Sequence, residues 1–300
     1  MISVVIPLYN KRGMVARTLR SVLAQTFRDF EVVIVDDGST DGSMEEARSV
    51  MDERIRIVSQ QNAGVSAARN RGIAEARYNL IAFLDADDEW KPTYLETQYN
   101  LYKKYPDCAV FACNYEFRSA DGKVTPTIIR KLPFVGTDGM LSNYFEVASC
   151  SHPPICSISI MVKKEAIQSI GGFPVGIKSG EDLLTWARLA TLYKIAYSNE
   201  ALAVFNVEGY DVSEKPKRIP AADDVVGNEL QLLLKKYKKK GLRQYNSHWH
   251  KMRSSVYMRL GMRGKSIREA LKGLYFYPLN YKLYAYIIIN IMPSRLKPLR

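Results

Sequence analysis

Histidine and cysteine are scarce in this chain of 300 residues, which has three histidines and four cysteines. The cysteines show no zinc-type pairing with histidine, so a structural zinc site is not expected. A chain of this length does not need a disulfide, and we expect reduced thiols in a cytoplasmic protein, with a disulfide as the alternative. The four positions are Cys108, Cys113, Cys150 and Cys156.

Targeting signals and long apolar runs are also lacking. Residues 1–7 contain neither a charged segment nor a long apolar segment, so we expect no signal peptide there and a buried strand instead. Residues 283–292 form an apolar run of ten residues that Asn290 interrupts. A membrane-spanning helix needs about 20 such residues, so this run does not predict one.

Negative charge is scarce in the last third of the chain. The whole chain has a formal net charge of +12, which divides into −3 over residues 1–215 and +15 over residues 216–300. An uneven charge of this kind indicates two parts with different roles. We therefore predict a main domain over residues 1–215, with halves at 1–104 and 105–215, and a basic helical extension over residues 216–300.

Strand and helix signals alternate along the first hundred residues. This alternation predicts an α/β fold with a Rossmann-like, mostly parallel sheet and helices on both faces. The predicted strands are 3–6, 31–35, 55–58, 80–84 and 158–162, and the predicted helices are 13–25, 41–50, 66–76, 163–170 and 181–192. A linker is predicted at 213–224, followed by helices to about residue 292.

Each of the first four predicted strands ends in polar residues. The first two are followed by Asn10 and by Asp36 with Asp37, and the next two by residues 60–62 and 85–88. Ligands of open α/β sheets lie beyond the carboxyl ends of the strands. The four endings therefore predict a single binding site along one edge of the sheet.

Asp85 and Asp87 form a D-x-D pattern after the fourth predicted strand. Mg²⁺ and Mn²⁺ prefer oxygen ligands, commonly one or two carboxylates together with substrate phosphates. A departing diphosphate needs such an ion because its negative charge grows as the bond breaks. The alternative is a polar loop or a helix cap before Glu89, and the position at a strand end favours the metal site.

Asp36 and Asp37 follow a buried strand, where two acids are costly unless they are paired or used. One interpretation is a carboxylate that accepts from the N3–H of a uracil-like base. The other is a turn with a helix cap at Ser39 or Asp41. We expect both, with Asp37 for the base and Asp41 or its neighbours for the cap.

Two further pairs of charged residues allow more than one interpretation. Arg69 and Arg71 could face a diphosphate or form surface salt bridges, and the salt bridge is favoured for Arg71 only. The small residues around them predict a helix that lies close to the sheet. Glu181 and Asp182 begin a predicted helix, which fits either helix-capping electrostatics or a general base that deprotonates an acceptor hydroxyl.

Taken together, these segments resemble the family 2 glycosyltransferases, which have the GT-A fold. The matching segments follow the family's order within residues 1–215 and are 4–10, 21–26, 35–41, 62–64, 68–70, 84–88, 171–173 and 181–182. The resemblance implies an inverting hexosyltransferase that moves a sugar from a nucleotide diphosphate sugar, with uridine as the favoured base, to an acceptor hydroxyl. It implies Mn²⁺ or Mg²⁺ as cofactor and a role in cell-surface polysaccharide or glycolipid synthesis. The halves at 1–104 and 105–215 would then bind the donor and the acceptor.

The resemblance also implies residue roles. Asp182 would be the catalytic base with Glu181 beside it, and Asp87 would hold the metal. The donor-binding residues that it implies are Pro7, Tyr9, Asp37, Asn62, Arg69, Asp85 and Ala86. The sequence departs from the family at Asn206 and Glu208, where many relatives have arginine and histidine, and this bears on how the diphosphate is held.

The basic extension contains a dense cluster of lysines at residues 235–240 and apolar residues at one-face helical spacing around residue 270. Basic, amphipathic, aromatic-rich segments lie on anionic membrane surfaces, so we predict a peripheral protein on the inner face of the membrane. A glycan or lipid-linked acceptor fits that location. The alternative is a helical lid on the main domain, and nucleic acid is not expected because no recognised module accompanies the charge.

Two other functions are compatible with a nucleotide-binding α/β chain. A sugar nucleotidyltransferase usually begins with a glycine-rich phosphate loop, and residues 7–13 contain no such run. A catalytically degenerate sugar-nucleotide-binding partner of a synthase complex has only the departure at Asn206 and Glu208 in its favour.

Overall fold

The computed structural model describes residues 1–207, 216 and 218–292. Glu208 and part of the predicted linker lie outside the described residues. The strands are β1 (Ile2–Leu8), β2 (Phe30–Asp36), β3 (Ile55–Ser59), β4 (Leu80–Phe83), β5 (Glu89–Trp90), β6 (Val110–Arg118), β7 (Val124–Pro126), β8 (Asp138–Met140), β9 (Ile160–Lys163) and β10 (Ile195–Asn206). The helices are α1 (Val15–Leu23), α2 (Ser43–Ser49), α3 (Val65–Glu75), α4 (Tyr94–Lys104), α5 (Tyr144–Cys150), α6 (Lys164–Ser169), α7 (Glu181–Leu192), α8 (Val225–Tyr237), α9 (Leu242–Arg259), α10 (Arg263–Phe276) and α11 (Tyr281–Ile291).

All of the strands form one sheet, in the order β3-β2-β1-β4-β9-β6-β10-β5, with β7 on β6 and β8 on β10. The first four strands run parallel, and so do β6 and β10. Strand β9 runs antiparallel between β4 and β6. The predicted α/β fold with a mostly parallel sheet is confirmed, and the reversed β9 joins its two parallel parts.

Strands β1 and β2 explain why the polar strand ends meet. All seven residues of each strand are buried, which is typical of parallel strands covered on both faces. Their in-register pairing sets Leu8 opposite Asp36, so both strands end at the same level. The residues that follow these strands must therefore emerge at one edge of the sheet.

Helix α3 lies very close to the sheet because small residues face it. A Cβ atom on Gly72 would overlap the side chain of Val5, which is fully buried in β1. The prediction that small residues bring this helix onto the sheet is confirmed. The close approach fixes the distance from the sheet at which Arg69 and Asn70 lie, one turn earlier in the same helix.

The helical extension packs directly on the main domain. Helix α8 contacts α7, and α9 contacts α5 and α8. Leu230 and Trp249 from the extension belong to the same hydrophobic cluster as Trp186 of α7 and Ile81 of β4. This packing is the arrangement that the lid alternative expects, and it leaves α10 and α11 as the outer layer.

A buried polar network holds α9, α10 and the segment before α8 together. Nε of Arg253 lies 3.4 Å from Oδ2 of Asp224 and 3.1 Å from Oε2 of Glu269, while Nδ1 of His250 lies 2.8 Å from the same Glu269 oxygen. Burial opposes ionisation, but His250 and Arg253 lower the pKa of Glu269 to about 2. The network therefore contains an ionised Glu269 compensated by the buried guanidinium of Arg253.

Two expectations about the whole chain can be compared with the structure. All four cysteines are free thiols, as expected. Among the described residues, no helix combines the length and the apolar content that crossing a bilayer requires.

Replacing Gly72 with alanine is expected to lower the free energy of unfolding by about 1–3 kcal/mol, because the added methyl group overpacks against Val5. Gly264 is the matched control, since it lies in α10 with no heavy atom within 4 Å of an added Cβ. Gly264→Ala is expected to raise the same free energy by about 0.4–1 kcal/mol. Chemical denaturation of both variants measures this difference in sign, and two equal shifts would contradict the close packing of α3.

Candidate active site

The loop after β4 places three aspartates at the edge where β1 and β2 end. Oδ1 of Asp85 lies 2.7 Å from Nη2 of Arg69, and Oδ2 of Asp85 accepts a hydrogen bond of 2.9 Å from Oγ of Ser157. The Asp85 side chain is 23% exposed, so part of its carboxylate stays accessible beside these two contacts. Asp85 is thus oriented by contacts from two distant parts of the chain.

Asp87 lies next to Asp85 and pairs with Lys11, whose Nζ contacts its Oδ2. This ion pair connects the loop after β1 to the loop after β4. The Asp87 side chain is 28% exposed. Its carboxylate is therefore partly accessible to solvent, and it already pairs with the ammonium group of Lys11.

Asn206, at the end of β10, holds this acid loop in place. Its backbone N–H donates to Oδ1 of Asp88 over 2.7 Å, and its side-chain Nδ2 donates to the backbone oxygen of Asp87 over 2.8 Å. Burial and the negative charges of Asp85 and Asp87 raise the pKa of Asp88 well above its ordinary value. The departure from the family at Asn206 therefore supports the loop that carries the acids.

Glu181 and Asp182 begin α7 immediately after Gly180, which has a φ of +85°. Oδ1 of Asp182 accepts a 2.7 Å hydrogen bond from the backbone N–H of Leu183, so its negative charge lies against a free N–H group in the first turn of the helix, although the N-cap itself is Gly180. Burial raises the pKa of Asp182, and Arg69 opposes this shift. Burial and the charge of Asp182 also raise the pKa of Glu181. A raised pKa makes a carboxylate a stronger base than an exposed one.

Arg69 lies between these two acidic groups. It is 3% exposed, and its Nη1 is 3.9 Å from Oε1 of Glu181 while its Nη2 contacts Asp85. Burial would lower its pKa, but the charges of Asp85, Asp182 and Glu181 raise it. The surface salt bridge considered for Arg69 is therefore wrong, because the side chain is buried. A diphosphate contact for Arg69 stays a prediction.

The alternative favoured for Arg71 is confirmed. Its Nη2 lies 2.9 Å from Oε1 of Glu75 one turn later in α3, and its side chain is 49% exposed. Exposed pairs of this kind contribute little to stability.

Asp37 is buried at the other end of the site, and its carboxylate accepts three hydrogen bonds. Nε2 of Gln60 donates over 2.7 Å, and the backbone N–H groups of Ala63 and Gly64 donate over 2.9 Å each. The carboxylate therefore fixes the loop between β3 and α3. A contact between Asp37 and a base stays a prediction, and it would use the lone pair that these donors leave free.

The remaining predicted donor-binding residues differ in exposure. Tyr9 is 48% exposed at the end of β1, whereas Pro7 is buried within that strand. Asn62 is exposed, and its Nδ2 donates to the backbone oxygen of Asp37 over 3.0 Å. The Ala86 side chain packs in the core, so only its backbone could contact a donor.

The loop after β1 is tied to the segment before α2. Oδ2 of Asp41 accepts from the backbone N–H of Arg12 over 3.0 Å, and Oδ1 accepts from that of Ser43 over 2.9 Å at the start of α2. Asp41 thus accepts from the first N–H of α2 and positions the loop that carries Lys11, but the N-cap of this helix is Gly42, one residue after the predicted Asp41.

Asn70 connects the donor-side helix α3 to the turn that precedes α7. Its Oδ1 accepts from the backbone N–H of Phe173 and its Nδ2 donates to the backbone oxygen of Phe173, each over 2.8 Å. Gly172 is needed at this turn, since its φ is +70° and a Cβ atom there would overlap Oδ1 of Asn70.

The acid loop has the donor types that a divalent ion requires. Asp85 and Asp87 offer partly exposed carboxylate oxygens, and Lys11 already brings a positive charge to Asp87. These residues fit an ion with oxygen ligands. Asp224, His250 and Glu269 form a second group with metal-binding side chains, but the guanidinium of Arg253 lies against both carboxylates there.

Sequence reasoning missed two contributors. Lys11 carries no motif of its own, and only its place after a strand end could have indicated it. Ser157 gave no signal, because the strand order that brings it to Asp85 is not visible in the sequence.

The comparisons with known proteins agree with this geometry. The family model described as glycosyl transferase family 2 matches residues 3–161. The chain belongs to glycosyl transferase family 2. As a member of that family it is a glycosyltransferase, and its sheet with flanking helices is the GT-A fold.

Relatives of known name show how far this membership extends. A Bacillus subtilis protein named as the teichuronic acid biosynthesis glycosyltransferase TuaG is 32% identical over 217 residues, which is 71% of this chain and 81% of that protein. Glycosyltransferase GlyA of Streptococcus pneumoniae is 38% identical over 123 residues, which is 40% of this chain but 18% of GlyA.

Solved structures share the fold at lower identity. Staphylococcus aureus TarS, residues 1–349, in complex with UDP-GlcNAc has a TM-score of 0.67 at 16% identity, covering 96% of this chain and 88% of that chain. The same region in complex with UDP has a TM-score of 0.66 at 17% identity, with the same coverage. Because the coverage reaches 96%, the shared fold includes the helical extension.

Replacing Asp37 with asparagine is expected to lower the free energy of unfolding by about 1–3 kcal/mol. The three donors share the two carboxylate oxygens of Asp37, and an amide has only one acceptor oxygen. Asp107→Asn is the matched control, since Asp107 is 78% exposed and meets only Lys194. Denaturant unfolding measures both shifts. Equal stability of the two variants would show that the three donors do not depend on the Asp37 carboxylate.

Proposed function

We propose that this family 2 glycosyltransferase moves a sugar from a uridine diphosphate sugar to an acceptor hydroxyl, with inversion at the anomeric carbon. The observation that carries the proposal is the buried guanidinium of Arg69, which lies between Asp85 of the acid loop and Glu181 beside Asp182. The carboxylates that would hold the metal ion with the donor and a base for the acceptor are thus side by side. A direct displacement needs these two and no covalent intermediate.

The donor would lie along the ends of β1, β2 and β4. Exposed Tyr9 and the loop fixed by Asp37 form the end of this edge that suits a base, and Asp85 lies at the other end. The similarity in fold to TarS, whose structures contain UDP-GlcNAc and UDP, supports a uridine nucleotide.

Asp87 would hold a Mn²⁺ or Mg²⁺ ion together with the donor phosphates. Such an ion stabilises the negative charge that develops on a leaving diphosphate. Lys11, which pairs with Asp87, would turn towards the phosphates when the ion takes its place. Arg69 would orient Asp85 and contact the donor diphosphate.

Asp182 would act as the base. It takes the proton of the acceptor hydroxyl as the acceptor oxygen bonds to the anomeric carbon, and the electrons of the breaking carbon–oxygen bond leave with the diphosphate. The raised pKa of Asp182, caused by burial, makes the carboxylate a stronger base than an exposed aspartate. Glu181 would share the negative charge of this pair with Arg69.

The acceptor would belong to cell-surface polysaccharide or glycolipid synthesis, as the similarity to TuaG favours. We assign catalysis to residues 1–215 and membrane contact to residues 216–300, on the inner face of the membrane. Helix α11 supports this contact, because it buries Leu283 and Asn290 against its neighbours and exposes four large side chains on the opposite face. These are Tyr281, Tyr284, Ile288 and Ile291.

Release of nucleoside diphosphate from a panel of sugar nucleotides, with Mn²⁺ or Mg²⁺, tests the proposed reaction. We expect one donor to turn over with the wild type and membrane extract as acceptor. Asp87→Ala and Asp182→Asn are each expected to lower the rate by at least about 100-fold, since each removes a group that acts in the transition state. Asp107→Asn, at an exposed position, serves as the control.

Donor binding separates the two roles. Asp182→Asn should still bind the donor, whereas Asp87→Ala should bind it more weakly with the metal present. The wild-type rate should also fall on acidification at a pH above the ordinary aspartate range, because the base is lost once Asp182 is protonated and its pKa is raised. Full activity of Asp182→Asn would contradict the assignment of Asp182 as the base.

Sedimentation with lipid vesicles tests the membrane contact. Replacing Ile288 and Ile291 with aspartate should weaken binding to phosphatidylglycerol-containing vesicles by more than about tenfold, since each new charge is repelled by the surface. Replacing Met51 and Val135 in the same way is the control, since these side chains are at least as exposed but lie outside the extension. Equal binding by the two double variants would rule out α11 as the contact.

A further inference from the structure

A pocket of about 510 Å³ lies where the helical extension meets the main domain. One wall is a single face of α9, with Gln244, His248 and Lys251 spaced by four and three residues. The others are the end of α5, the segment after β7 and the turn between α10 and α11. The volume lies in the range of small-molecule binding sites. We call this cavity the basic pocket.

The basic pocket collects positive charge without a counterion. Arg130, Lys251 and Lys282 line it, and its lining includes no aspartate or glutamate. Within the described part of the chain, no carboxylate forms an ion pair with any of the three. Lysines elsewhere in the structure do find such partners, as Lys91 does with Glu116 at 2.8 Å.

The positive charges affect one another inside the pocket. Burial and the neighbouring Lys282 lower the pKa of Lys251 to about 8. Burial and the two lysines lower the pKa of His248 to about 3, so this histidine is neutral at physiological pH. Nζ of Lys251 lies 3.1 Å from Nδ1 of His248. Repulsion of this kind is relieved when an anion enters between the charges.

The position of the pocket relates it to the transfer reaction. One chain segment connects the pocket to Asp85. The first residues of this segment, from Ser149 on, line the pocket, and Oγ of Ser157 at the end of the segment donates to Asp85. The ring of His152, also in the lining, packs against Phe117 of β6 with 5.8 Å between ring centroids. In the sheet, β6 lies on the opposite side of β4 from β1 and β2. The pocket is therefore on the side of Asp85 away from the proposed nucleotide.

We propose that the basic pocket binds a phosphoryl group carried by the acceptor. An oxyanion with more than one negative charge matches a site that combines one guanidinium and two ammonium groups. A single carboxylate would leave charge unbalanced. The apolar rim agrees with an acceptor presented at a membrane, since Leu279 and Tyr281 are 76% and 74% exposed there. The inference rests on the proposed function, because only a transferase has an acceptor.

Titration calorimetry with inorganic phosphate tests the pocket, at fixed ionic strength and without divalent ions or nucleotide. Under these conditions the aspartates at 85–88 repel phosphate, so binding reports on the basic pocket. Lys251→Gln combined with Lys282→Gln is expected to weaken binding at least about tenfold, because charge-assisted contacts are lost. Lys103→Gln combined with Lys123→Gln removes the same charge from exposed positions outside the pocket and should leave binding unchanged.

Vesicles distinguish the source of the phosphate. If it comes from a lipid, the wild type prefers phosphatidylcholine vesicles that contain phosphatidate over those with phosphatidylglycerol at equal charge, and the Lys251/Lys282 variant loses this preference. If it comes from a soluble acceptor, only phosphate titration responds. Equal weakening by both double variants, or no phosphate binding by the wild type, would overturn the proposal.

Donor turnover by the wild type reports on the proposed function separately. Turnover without phosphate binding would reject the basic pocket and keep the transferase reaction. Phosphate binding that depends on Lys251 and Lys282, without any donor binding, would reject the proposed reaction and with it the role of the pocket in holding an acceptor.

Discussion

The carboxylates at the edge of the sheet depend on the cations that lie among them, the buried Arg69 and the partly exposed Lys11. Arg69 is the central one, because its guanidinium lies within reach of Asp85 and Glu181 and is almost completely buried. A buried charge without partners would cost several kcal/mol, so guanidinium and acids require each other. The position of the loop after β4 and the start of α7 both follow from this requirement.

Much of this could be predicted from the sequence, because local patterns determine it. The first four strands and the helices between them follow from apolar periodicity, and polar strand ends in a parallel sheet must meet at one edge. Asp85, Asp87 and the acids of α7 could be selected for that reason. Contacts such as Lys11 with Asp87 bear out the predicted convergence.

What could not be predicted depends on pairing between distant segments. The direction of β9 depends on its neighbours β4 and β6, and its own residues are compatible with either direction. Ser157 reaches Asp85 only because of that order. The sequence shows Asn206 as a departure from relatives. Its hydrogen bonds to the acid loop depend on the position of β10 in the sheet, which the sequence does not show. The docking of α8 and α9 likewise depends on a core formed by residues far apart in sequence.

Arg69 and Asn70 are consecutive residues of α3, yet they hold two separate parts of the site. The first orients the Asp85 carboxylate, and the second secures the turn at Phe173 that precedes α7. A rigid-body shift of α3 would move both at once. In the proposed reaction, the contacts to the nucleotide and the placement of the base would therefore shift together.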